Sequence, residues 1–137
     1  MRSRTGELTG LAEALFAAAA ALVGEFERAA DTVGLTKQQA VVLRAVPTTG
    51  TMAGLAAACR IDPSNLTSVI TRLEQHGYAQ RQPSAADRRT KVVTLTPSGR
   101  RAVGLFERRL TTGTVLTTRL TDDDRDTLHA LLQRLTT

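Results

Sequence analysis

Ile61-Asp62-Pro63-Ser64-Asn65-Leu66-Thr67-Ser68-Val69-Ile70-Thr71-Arg72-Leu73-Glu74 is the stretch whose reading decides the fold. Aspartate is a good helix N-cap, and proline suits the first helical position, where no N–H is needed. Gly77, directly after His76, supplies a left-handed stop. Between these marks Leu66, Val69, Ile70 and Leu73 recur at helical spacing and form one apolar face. At about 100° per residue, Ser64, Asn65, Ser68, Thr71, Arg72 and Gln75 fall on the other face. That face is polar and carries no acid, whereas a merely solvated helix face usually mixes both signs. It is suited to hydrogen bonding with something outside the chain.

Working upstream, residues 51–59 read as a shorter helix with Met52, Leu55, Ala56 and Cys59 inward, joined to the first by Arg60-Ile61. Thr36 with Gln39 reads as a capping box opening a helix whose buried side is Ala40, Leu43 and Val42 or Val46. Pro47-Thr48-Thr49-Gly50 is a loop. Downstream, residues 79–82 and 91–96 predict two short strands, the second rich in β-branched side chains. The connection between them is long for a hairpin and carries Asp87-Arg88-Arg89. Thr96-Pro97 opens a helix expected over 97–116. Thr121 followed by Asp122, Asp123 and Asp124 opens a last one, striped by Leu128, Leu131, Leu132 and Leu135. Those acids sit at the positive end of a helix dipole, a structural reason for them, so no metal site is expected there. Residues 5–30 predict a long helix with Leu8, Leu11, Leu15, Leu22 and Phe26 on one stripe and Ala12, Phe16, Ala19 and Val23 beside it. That band is wider than one small domain covers, so part of it is expected to meet a partner subunit.

The chain has 137 residues, 42% of them hydrophobic, enough for one domain with one core. Aromatics are limited to Phe16, Phe26, Tyr78 and Phe106, so the core must be Leu, Val, Ile and Ala. Charge is unevenly spread. Residues 60–101 hold eight basic side chains (Arg60, Arg72, Arg81, Arg88, Arg89, Lys91, Arg100, Arg101) against Asp62, Glu74 and Asp87. The flanking segments balance, so this one carries the whole net charge of +5. Such a surplus is what a polyanion-binding surface needs, and a solvated basic surface is the bland alternative.

Other classes are poorly supported. The single cysteine, Cys59, excludes an internal disulfide and fits a reducing, cytoplasmic setting. The apolar run 14–23 is too short to span a bilayer. Arg2 and Arg4 imitate a leader sequence, but Glu7 and Glu13 intervene and the apolar residues are helix-periodic. His76 and His129 are far apart, and no His/Cys cluster, phosphate loop or nucleophile elbow is present, so neither an enzyme nor a cofactor is expected.

Two short helices followed by a β-hairpin with a basic tip suit duplex DNA. A helix fits the major groove, where base edges present distinct donor and acceptor patterns. An arginine at a hairpin tip can enter the adjacent minor groove, where narrow A·T-rich segments concentrate negative potential. The stretch 61–74 resembles the recognition helix of MarR-type regulators. Asp87-Arg88-Arg89-Thr90-Lys91-Val92-Val93-Thr94-Leu95-Thr96-Pro97-Ser98-Gly99 resembles their wing, and Leu35-Thr36 with Gln39 and Val42-Leu43 is similar to their second helix.

That resemblance implies a mainly α fold with a small β-wing: a winged helix-turn-helix DNA-binding lobe over 35–97, and a helical dimerisation region over 1–34 and 98–137 built from the first, fifth and sixth helices. It implies a homodimer that binds double-stranded DNA at a pseudo-palindromic operator, as a repressor relieved by a small-molecule effector. On this reading Ser64, Asn65, Ser68, Thr71 and Arg72 face the major groove, Arg88, Arg89 and Lys91 the wing's DNA, and Asp87 orients Arg89. The family often has arginine where this chain has Ser68, which removes a bidentate contact to guanine and shifts readout toward Asn65, Arg72 and DNA shape. An effector pocket by resemblance would use Phe16, Val42 and Phe106.

Blander roles stand beside these. Asp87 can be a turn former, Ser64 a cap assistant, Arg72 a partner of Glu74 or Asp62, Arg81 an aliphatic cover for the sheet, and Cys59 a small core residue. The competing class is a winged-helix protein–protein module without DNA binding.

Overall fold

The computed structural model describes residues 3–137; Met1 and Arg2, the latter part of the leader-like signature, lie outside the described residues. The elements run α1 (Arg4–Asp31), α2 (Lys37–Ala45), α3 (Met52–Cys59), α4 (Pro63–Gln75), β1 (Ala79–Pro83), β2 (Lys91–Leu95), α5 (Pro97–Thr111), α6 (Val115–Thr118) and α7 (Asp122–Thr136). The chain divides into two compact units, Glu27–Glu107 and the pair Met1–Phe26 with Arg108–Thr137. The division falls within α1 and within α5.

The Glu27–Glu107 unit holds the core. Leu43 of α2, Leu55 of α3 and Leu66, Ile70 and Leu73 of α4 are fully buried. Both candidate valines of α2 are inside, Val42 within it and Val46 at its C-cap. The caps form as the sequence indicates. Thr36 Oγ1 accepts the Gln39 N–H and Gln39 Oε1 accepts the Thr36 N–H. Gly77 takes the left-handed conformation after α4, with φ of 76°.

β1 and β2 pair antiparallel, from Ala79 opposite Leu95 to Pro83 opposite Lys91. The hairpin does not stand alone. Val93 N–H donates to the Gly50 carbonyl at 2.7 Å, and Thr51 bridges to Val92, so the loop ahead of α3 forms a third edge for the wing.

In the other unit, the Glu25 carboxylate accepts the Val115 N–H at 3.0 Å, and Arg125 donates to the carbonyls of Leu116 and Leu120 at 3.1 and 2.7 Å. Thr121 and Asp124 form a capping box at the start of α7, which gives the aspartate run the structural role expected. Few apolar side chains are covered. No residue of α7 is buried, and of α1 only Ala29 and Ala30 are, both beyond this unit. Phe16 is 77% exposed, Leu8 60% and Leu135 70%.

Two expectations need correction. The helix expected over 97–116 stops at Thr111, because Gly113 turns left-handed (φ 94°) and a separate short α6 follows. The expected sixth helix is therefore α7. The apolar run 14–23 belongs to a 28-residue helix that is long and apolar enough, by length and composition, to cross a bilayer. The run is only the middle of that helix, which carries Glu13 inside it and continues well beyond both ends of the run.

Candidate nucleic-acid interface

The polar face of α4 starts from its cap. The Asp62 carboxylate accepts the Ser64 N–H at 3.2 Å and the Ser64 hydroxyl, so Ser64 is committed to the cap. Those bonds, the hydroxyl first, hold the Asp62 carboxyl below the usual carboxylate range. The folded state thus favours the ionised form. Its contribution is complete above the unfolded value of about 3.9 and fades as pH falls through the lower folded value. Asp62→Ala should therefore lower the melting temperature at neutral pH, with the gap to the parent closing below about pH 4. A gap constant from pH 7 to 3, followed by thermal melts, would contradict this.

Further along the face, the side chains of Asn65 and Ser68 are exposed and make no hydrogen bond with other described residues. Arg72 is exposed and reaches only the Gln75 amide oxygen, at 3.5 Å, not Glu74 or Asp62. Thr67, Ser68, Thr71, Arg72 and Gln75 line a shallow groove. Thr71 differs from its neighbours. Its hydroxyl donates to the Thr67 carbonyl at 3.0 Å and accepts from Arg81 at 2.8 Å.

Arg81 projects from β1 onto α4. Besides Thr71 it reaches the Thr67 carbonyl at 3.4 Å, and its Nε lies 3.1 Å from Glu74 Oε1. It is a brace between the wing and the helix, and the aliphatic-cover reading missed this. The guanidinium's partners are in another element, invisible to a helical-face argument.

The wing tip is held through its main chain. Asp87 accepts the Arg89 N–H at 3.0 Å and the Thr90 hydroxyl at 3.5 Å, and its carbonyl accepts the Thr90 N–H at 3.0 Å. Among the described residues Asp87 makes no ion pair with the Arg89 guanidinium; it fixes the turn that carries Arg89. Arg88, Arg89 and Lys91 are exposed, and their charged groups pair with no other described residue. α4 and the wing belong to the same unit, so the polar face of α4 and the basic wing tip are carried on one scaffold.

The remaining singled-out residues lie elsewhere. Val42 and Phe106 are buried side chains of the Glu27–Glu107 unit, and Phe16 is an exposed residue of the other unit. Cys59 is half-buried rather than core. It lines a cleft with Val41, Arg44 and Glu107, and burial pushes its thiol up, away from thiolate reactivity. His76 stacks on Tyr78 with ring centroids 5.5 Å apart. Among the described residues no group of three or more His, Cys, Asp or Glu is placed to hold a metal ion.

Comparison with known proteins places the fold. Residues 33–90 match the family model described as MarR family. The transcriptional activatory protein BadR of Rhodopseudomonas palustris is 36% identical over 116 residues, covering 79% of this chain and 66% of BadR. Against other curated regulators the chain spans about half of their length, 49% and 55%. Among solved structures, the transcriptional repressor CouR bound to a 23-mer DNA duplex superposes with a TM-score of 0.83 at 27% identity, over 100% of both chains. Bordetella bronchiseptica BpsR, whose DNA binding is regulated by 6-hydroxynicotinic acid, superposes with a TM-score of 0.75 at 28% identity, over 93% of this chain and 99% of BpsR.

Proposed function

The chain belongs to the MarR family of winged-helix, DNA-binding transcription regulators, and from that membership we propose that it binds a pseudo-palindromic operator in the cytoplasm as a homodimer and represses transcription until a small molecule releases it. The observation that carries the DNA reading is the pairing, on one unit, of exposed Asn65, Ser68 and Arg72 on α4, of which only Arg72 has a side-chain partner (Gln75, at 3.5 Å), with unpaired Arg88, Arg89 and Lys91 on the wing.

In this mechanism α4 lies in the major groove. Asn65 hydrogen-bonds a base edge, Arg72 a base or phosphate, and Arg89 enters the neighbouring minor groove on a tip that Asp87 holds. Ser64 and Thr71 act indirectly, Ser64 by securing the helix start and Thr71 by seating Arg81. Two such units place their helices one helical turn apart, about 34 Å, which is why the site is palindromic.

The homodimer is supported by the exposed leucines of α1 and α7, which a second copy would cover. The same cover accounts for an apolar α1 without a bilayer. An effector acts by favouring one spacing of the two recognition helices over another. BpsR supplies the precedent of a DNA-binding relative answering to a small aromatic acid.

Purified protein should retain discrete fragments of its own genome sharing an inverted repeat, and Asn65→Ala should lose about 1–3 kcal/mol of discrimination at one or two base pairs of each half-site. Recovery of no enriched repeat, or unchanged discrimination by the variant, would contradict the proposal. A protein–protein module would yield no enriched fragments at all.

A further inference from the structure

Arg60 is, among the described residues, the one non-glycine residue with positive φ. It caps α3 at φ 52° and ψ 49°, the left-handed region, where a Cβ crowds the following carbonyl and glycine is the usual occupant. The backbone needs this conformation. The Ile61 N–H reaches back to the Ala56 carbonyl at 3.0 Å and the Arg60 N–H to the Ala57 carbonyl at 3.4 Å, closing α3 and turning the chain into α4. It does not need the side chain. Arg60 is exposed, and its guanidinium makes no hydrogen bond or ion pair with another described residue. The nearest acid in sequence, Asp62, is occupied by Ser64.

The position thus carries a strain that glycine would relieve, for a cation that the fold does not use. Its place is informative. Arg60 stands two residues before the N-cap of α4, at the end that presents Ser64 and Asn65. A helix entering the major groove by that end has a phosphate strand at its shoulder.

We propose that Arg60 is a phosphate-anchoring residue of the DNA interface, held in a strained backbone so that its guanidinium clasps the strand flanking the N-terminus of α4. The inference rests on the DNA-binding reading and extends it to a residue outside the helix face and the wing. A phosphate contact carries no base information, so it should set affinity and register on every sequence alike.

Stability and affinity should move in opposite directions. Arg60→Gly removes strain and the cation together. Its melting temperature should rise by about 2–4 °C. Its binding at about 100 mM salt should weaken roughly tenfold, equally on operator and scrambled duplex, with the slope of log K against log salt shallower by about one. Arg60→Lys keeps the charge and the strain, and should keep most of the affinity, the salt slope and the parent melting temperature. Arg60→Gly protein that binds with parental affinity and slope would overturn the proposal while leaving the DNA reading intact. Arg60→Gly protein that melts lower would overturn it too, by showing that the side chain supports the fold. Failure of the parent protein to bind any duplex would instead overturn the DNA reading itself.

Discussion

Replacing Gly99 by alanine should cost about 3 kcal/mol or more and lower the melting temperature by roughly 10 °C. Gly99 lies in the first turn of α5, drawn onto the strand that enters the wing. The Thr96 hydroxyl donates to the Gly77 carbonyl at 2.6 Å and accepts the Gly99 N–H at 3.0 Å, while the Thr96 N–H donates to the Tyr78 carbonyl at 3.0 Å. A Cβ on Gly99 would overlap the Tyr78 carbonyl oxygen and sit 2.8 Å from its carbon. Both obstacles are backbone, so no side-chain rotation relieves them. Tyr78 cannot withdraw freely either, since its hydroxyl is bonded to the Val33 carbonyl at 2.8 Å. The helix must lift away and break the Thr96 relay, or the strand must move and take the wing with it. A Cβ on Gly104, in the same helix, would meet nothing within 4 Å. Gly104→Ala should accordingly stabilise by about 0.5–1 kcal/mol through helix propensity. Thermal or urea melts of the two variants check the pair; equal effects would show that the close approach at Gly99 is not the determinant.

The second large effect is expected at the wing. Arg89→Ala should weaken binding to duplex DNA by about 10–100-fold, with little change in melting temperature, because the guanidinium has no partner among the described residues to lose. The loss should be greater where the flanking minor groove is A·T-rich and narrow, and smaller beside G·C-rich flanks. Asp87→Asn, which can still accept the Arg89 N–H, should bind nearly as well as the parent. Asp87→Ala frees the tip and should fall part of the way toward Arg89→Ala. Fluorescence-anisotropy titrations on duplexes with varied flanks measure all three. A large thermal destabilisation by Arg89→Ala would mean that the arginine belongs to the fold rather than to the interface.

These expectations show where sequence is informative. α4 is legible because its signals are local: Asp62-Pro63 at one end, Gly77 at the other and a clean apolar stripe between. The inward residues of α2 and the basic tip are legible for the same reason. What sequence leaves out is contact between elements remote along the chain. A helical wheel puts Thr71 on the outward face, yet its hydroxyl is taken by Arg81, ten residues away on β1. Cys59 looks internal on its helix but lines a cleft, because the other wall comes from α2 and from Glu107. Gly113 carries the same stop signal as Gly77, but Val115 and Leu116 continue the apolar spacing of α5 beyond it, which makes one helix of what are α5 and α6. Arg60 is the converse case. Nothing in Cys59-Arg60-Ile61 marks the middle residue as left-handed, and only the backbone shows that a glycine position holds an arginine.

The proposed function requires the positive surface of the Glu27–Glu107 unit to engage two successive grooves of a duplex. The most direct test is the affinity of the purified protein for its operator and for a scrambled duplex between 50 and 200 mM salt. If six to ten phosphates are contacted, affinity for both should fall by about 10³–10⁵ across that range, with the operator bound at least about 10³-fold tighter throughout. A flat salt response, or equal affinity for the two duplexes, would contradict it.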